Sequence, residues 1–144
     1  MADETLLVIQ GIGVAPYSAR GLTQTIEPIE AAAVLARTIN GTLVNIAATQ
    51  MQKYKTTISC KDLEAPAFDG VWPGAVLTID CVAELGFKTG SGSAGRPVVS
   101  GSSRLVGDYT YYRPQLLVMV TKFTHGARDE YGHMTDWSIE AEEV

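Results

Sequence analysis

The chain has few of the residues that announce a chemistry. Cys60 and Cys81 are its whole thiol complement, and their spacing gives neither a disulfide framework nor a zinc site. Only 19% of the residues are charged, and they form no basic stripe of the kind a nucleic-acid surface needs. Long apolar runs are missing too, since Leu116–Val120 falls far short of a membrane span. The opening MADETLLVIQ starts with acids and lacks the basic region of a signal peptide. These absences lead to the expectation of a soluble protein made in a reducing compartment, with no nucleic-acid or membrane partner.

What is present is a globular β composition. The 144 residues are 46% apolar, enough for one domain with a sizeable core. Net charge is −5, and all of it lies between Thr124 and Val144, where six acids face one base, Arg128. The body is therefore neutral and the C-terminal end acidic, which suits docking on a basic partner.

Period-two alternation dominates the pattern. Tyr54–Cys60 places Tyr54, Thr56, Ile58 and Cys60 on one face. Ala75–Leu85 does the same with Leu77, Ile79, Cys81, Ala83 and Leu85, and Trp137, Ile139 and Ala141 repeat it near the end. Leu116–Phe123 is apolar on both faces and reads as a central strand. Thr5–Gln10 reads as a core strand or an exchanged N-terminal arm. Asn40-Gly41 predicts a hairpin over Leu35–Ile46 through a two-residue type I′ turn, with Ile39 opposite Thr42. A helical turn near Ile29–Ala33 can precede it. The expected fold is mainly β: one antiparallel β-sandwich or barrel over residues 1–144, with long loops and at most a short helix.

The longest loop, Gly86–Ser103, is ten-eighteenths Gly and Ser. Such a segment buries too little to offset its own ordering and is expected to be a mobile arm. Arg96, Pro97, Val98 and Val99 at its centre, together with Trp72, are the candidate subunit contacts. Trp72 stands among turn formers in Asp69–Gly74. It is expected to fold back over the core, with exposure for a sugar or protein contact as the alternative.

No catalytic constellation emerges. His125, Asp129, Glu130 and His133 share one loop without the spacing of a metal site. Gly90-Ser91-Gly92-Ser93 is linker rather than nucleophile elbow. Gly11-Ile12-Gly13 is half of a dinucleotide fingerprint without its third glycine or helix. Cys60 and Cys81 fall on inward faces and read as buried, inert thiols. The expectation is a non-enzymatic protein with no cofactor and no metal.

YSARGLTQT (Tyr17–Thr25), RTINGTL (Arg37–Leu43), KYKTTISC (Lys53–Cys60), DGVWPG (Asp69–Gly74) and WSIEAEEV (Trp137–Val144) resemble segments of small virion proteins of tailed bacteriophages. The resemblance implies a structural subunit of the particle, assembled with itself in a ring or lattice and with other phage structural proteins. The tail, baseplate or head–tail junction is the implied location. A capsid decoration protein is the alternative, and a carbohydrate-binding module using Trp72 and Tyr109, Tyr111 and Tyr112 a further one. The resemblance carries no functional residue with it.

Overall fold

The computed structural model describes residues 7–10, 12–14, 18–126 and 134–144. It is mainly β and antiparallel, as the alternation predicts. The main sheet has six strands: β1 (Val8–Gln10), β2 (Thr23–Pro28), β5 (Tyr54–Asp62), β6 (Val76–Asp80), β10 (Gln115–His125) and β11 (Thr135–Glu143). Their order is β1-β6-β10-β11-β5-β2. A two-stranded hairpin, β3 (Leu35–Arg37) with β4 (Leu43–Asn45), stands apart from it. A three-stranded sheet has β9 (Tyr109–Tyr112) between β7 (Leu85–Lys88) and β8 (Arg104–Val106).

Alternation sends one face of the main sheet inward. Leu7, Ile9, Ile58, Ile79, Leu116, Val118, Ile139 and Trp137 are at most 2% exposed and form the core. The faces expected for Tyr54–Cys60 and Trp137–Ala141 hold. β5 runs on to the buried Asp62. Val8–Gln10 lies on β6 of its own chain, with Leu7 and Ile9 buried; Thr5 and Leu6 lie outside the described residues. The sheet curls. Gln24 on edge strand β2 donates to Thr56 and accepts from the N–H groups of Val82 and Ala83, just past β6. Among the described residues no ladder joins β1 to β2, so the curl stops short of a hydrogen-bonded barrel.

Leu116–Phe123 is central in the sheet, as expected, and only one of its faces is covered: Leu117 and Met119 are 53% and 41% exposed. A β-bulge at Thr121 shifts the register between Val120 and Lys122 and turns Phe123 inward, three residues after Val120. The apolar run on both faces thus reflects a change of phase and an open face, not double burial.

Ala75–Leu85 is two strands. β6 ends at Asp80, and four residues, 81–84, lie opposite only Arg113 and Pro114 before β7 begins against β9. The extra residues bend the long β6–β7/β9–β10 ribbon into a second sheet.

Gly86–Ser103 is less of an arm than its composition suggests. Gly86–Lys88 belongs to β7, and Val98 bridges to Pro114. Gln115 donates to the Pro97 carbonyl and Val99 to that of Arg113, at 2.8 and 3.0 Å.

The β3–β4 hairpin forms, preceded by a 3-10 turn at Glu30–Ala32, but its register differs by one residue from expectation. Leu35 lies opposite Asn45 and Arg37 opposite Leu43. Gly41 donates to Thr38 at 2.9 Å and has φ 82°, so the loop is Ile39-Asn40-Gly41. A three-residue loop ending in a left-handed glycine competes with the two-residue turn whenever Gly follows Asn.

Candidate functional site

The β2–β5 ladder continues to Pro28 opposite Tyr54 and one bond further, Ile29 N–H to Lys53 O at 3.0 Å. Everything between those residues is an excursion from the sheet edge. Two 3-10 turns, Glu30–Ala32 and Thr49–Met51, meet at its base. Above them the Asn45 side-chain oxygen accepts from Val34 and Ala47, both at 3.0 Å, and fixes the neck of the hairpin.

The hairpin buries almost nothing. Val34, Leu35, Ile39, Leu43 and Ile46 are 47 to 105% exposed, and only Val44 in its strands is half-buried. Residues 31–51 carry one charge, Arg37, whose guanidinium donates to the Gly41 carbonyl at 2.8 Å. Among the described residues no third strand pairs with β3 or β4. A two-stranded hairpin without a covered face is marginal in water. The sequence does show these apolar residues; nothing in their alternation says that they face solvent.

A second uncovered apolar surface lies on the outside of the main sheet. The ladders place Val8, Val76, Leu117 and Met119 on one outward face across β1, β6 and β10, and all four are exposed. Val144 extends β11 by donating to the Leu117 carbonyl at 3.1 Å and is itself 56% exposed. The outer face of β11, β5 and β2 is polar instead, with Glu140, Glu142, Lys55, Thr57 and Thr25.

The candidate contacts read from the sequence are dispersed. Arg96 donates to both Glu143 oxygens at 2.8 Å and to the carbonyls of Gln52 and Gly95 at 2.9 Å, with its guanidinium 4.9 Å from the Tyr54 ring centre. Its donors are used inside its own chain. Pro97 and Val98 are exposed and Val99 half-buried. Trp72 is 73% exposed, so it does not cap the core; Phe68 and Val71 from the same loop do. Phe68 stacks on Phe123 at 5.1 Å and meets Trp137 edge-on at 5.8 Å. Tyr112 is buried, Tyr111 lies beneath the Arg104 guanidinium, and Tyr109 alone of the three is largely open, at 51% exposed.

Asp62 and the two thiols are engaged or muted. Asp62 accepts the Arg20 guanidinium at 2.8 Å and the N–H groups of Arg20 and Leu63. Chiefly the Arg20 hydrogen bonds hold its carboxyl down to about 2. Cys60 and Cys81 are free and buried, as expected. Burial pushes the Cys81 thiol up to about 12 and raises that of Cys60 as well. A hollow of about 540 Å³ on the outer face is lined by Thr23, Ser59, Lys61, Thr124 and Asp136, with Asp136 opposite Lys61 and, among the described residues, no imidazole in its lining. Among the described residues no cluster of His, Cys, Asp and Glu is arranged to hold a metal. Asp129, Glu130, His133 and Gly11 lie outside the described residues.

The sequence matches no family model, and neither a curated protein nor a solved structure is significantly similar to the chain.

Proposed function

We propose that this chain is a non-enzymatic structural subunit of a tailed-phage particle, forming a ring or lattice in the tail, baseplate or head–tail junction. The segment resemblance supplies the particle. The observation that carries self-assembly is the exposure of Val34, Leu35, Ile39, Leu43 and Ile46 on a hairpin that projects from the sheet edge. Monomeric proteins scatter such residues singly; a cluster on a protrusion marks a contact surface.

Magnitudes favour a repeated contact over an isolated dimer. Fully burying a Val, Leu or Ile contributes roughly 1.5–3 kcal/mol, so the exposed parts of these five hold on the order of 5–10 kcal/mol. Association costs about 4–15 kcal/mol in lost freedom, so one such contact alone is weak. Closing a ring makes the last contacts intramolecular and lifts that limit.

Two measurements test the reading. Light scattering after size-exclusion chromatography is expected to show a concentration-dependent oligomer. Mass spectrometry of purified particles of the encoding phage is expected to find the chain. A monomer at every concentration that is also missing from particles would sink it. Immunogold labelling separates tail from capsid surface, where decoration would place it.

A further inference from the structure

We infer that the β3–β4 hairpin of one copy docks on the uncovered outer face of β1, β6 and β10 of another copy, in a head-to-tail contact. The inference rests on the self-assembly reading and names its two surfaces. Both are apolar and uncovered in the single chain: Leu35, Ile39 and Leu43 on the hairpin, Val76, Leu117 and Met119 on the sheet. They belong to opposite ends of the strand order, the hairpin issuing from β2 and β5 and the patch lying on β1, β6 and β10.

Charge selects the pairing. The hairpin's one charge is Arg37. Two acids stand at the edges of the patch, with Lys55 one strand further out: Glu142 lies opposite Met119 and, on its other side, Lys55, and Asp80 lies opposite Val8. Hairpin on patch brings Arg37 towards these carboxylates. Hairpin on hairpin would set Arg37 against Arg37, and patch on patch would set Glu142 and Asp80 against their own copies. Both symmetric arrangements oppose like charges, which disfavours them. A contact between two different patches of one chain has no internal two-fold, so it repeats around a ring or along a filament.

The experiment uses two full-length variants. One carries Leu35→Glu and Ile39→Glu on the hairpin, the other Leu117→Glu and Met119→Glu on the sheet. All four positions are exposed, and circular dichroism with the emission of buried Trp137 confirms folding. Each variant alone is expected to be monomeric where the parent assembles. Mixed at high concentration, the intact patch of the first receives the intact hairpin of the second through one contact without ring closure, giving a weak, concentration-dependent one-to-one dimer and nothing larger.

A separate pair, Ile39→Cys in one chain and Leu117→Cys in another, is expected to cross-link between chains on mild oxidation. A parent that assembles while the mixture stays monomeric and the cysteine pair stays unlinked overturns the docking mode alone. A variant that assembles as the parent does overturns it too. A parent monomeric at every concentration overturns it together with the self-assembly reading.

Discussion

Arg96 and Glu143 form a two-pronged ion pair that fastens the middle of a glycine- and serine-rich loop to the last strand, both bonds being 2.8 Å. Glu143 also accepts the Tyr54 N–H at 2.7 Å, so the pair ties the loop, the start of β5 and the end of β11 together. Arg96 is about a quarter exposed and Glu143 less, so water screens the pair only in part.

Arg96→Ala is therefore expected to lower stability by about 1–3 kcal/mol, the range for charge-assisted bonds and a stranded buried acceptor. Hydrogen exchange should rise across residues 89–103 and at Tyr54. Deleting Gly90–Ser100 should cost at least as much, because it also removes the Pro97 and Val99 backbone bonds. Unchanged exchange in the Arg96 variant would mean that the loop is held elsewhere.

Asp62 sets an acid limit. Its folded carboxyl titrates at about 2, below the value near 4 of a free chain, so its contribution is complete above about pH 4 and disappears as pH falls towards 2. Asp62→Asn is expected to be less stable than the parent by about 1–3 kcal/mol at pH 7, since four N–H donors, three of Arg20 and one of Leu63, lose a charged acceptor. Denaturant curves of the two proteins should converge near pH 2. A gap that persists there would point to packing instead.

Gly86 lies opposite Tyr111, and a Cβ on Gly86 would come within 2.6 Å of the ring. Gly86→Ala should cost about 1–3 kcal/mol by overpacking. Tyr111→Ala in the same chain should return part of it, a coupling that a double-mutant cycle reads directly. Additive losses would show that the ring has room to move.

The two tryptophans should behave as opposites. Trp137 is buried, and its indole N–H donates to the Ser18 carbonyl at 2.7 Å; Trp137→Ala is expected to cost about 3–5 kcal/mol. Trp72→Ala on the exposed loop should change stability by less than about 0.5 kcal/mol. In the parent the Trp137 emission should be blue-shifted and that of Trp72 red-shifted and quenchable by iodide. An unquenchable Trp72 would place it under cover.

Legibility in the sequence followed burial. Tyr54–Asp62 and Thr135–Glu143 have one covered face each, so their alternation is clean and their faces could be read without coordinates. Leu116–Phe123 was legible as a central strand, although two different causes, an open face and a bulge at Thr121, put apolar residues on both of its sides. The Gly86–Ser103 loop misled because composition reports the entropy of ordering but not the partners that offset it: Glu143 is 47 residues from Arg96. Short β8 escaped notice, although Gly107-Asp108 closes it onto β9 in a two-residue turn with Gly107 at φ 58°. The surfaces were the least legible. Leu35 and Leu77 look alike in the sequence, and only the ladder tells which one the fold leaves uncovered.

The closure of the ladder at Pro28 and Tyr54 separates two kinds of selection. Residues 29–53 leave the sheet and return to adjacent positions, so their length and side chains can drift while the β2–β5 register stays as it is. The body answers to folding; on the docking proposed above, the hairpin answers to the copy it meets. A lineage of such chains can therefore change its contacts quickly while its core changes slowly, and two members could share a body and yet refuse to mix.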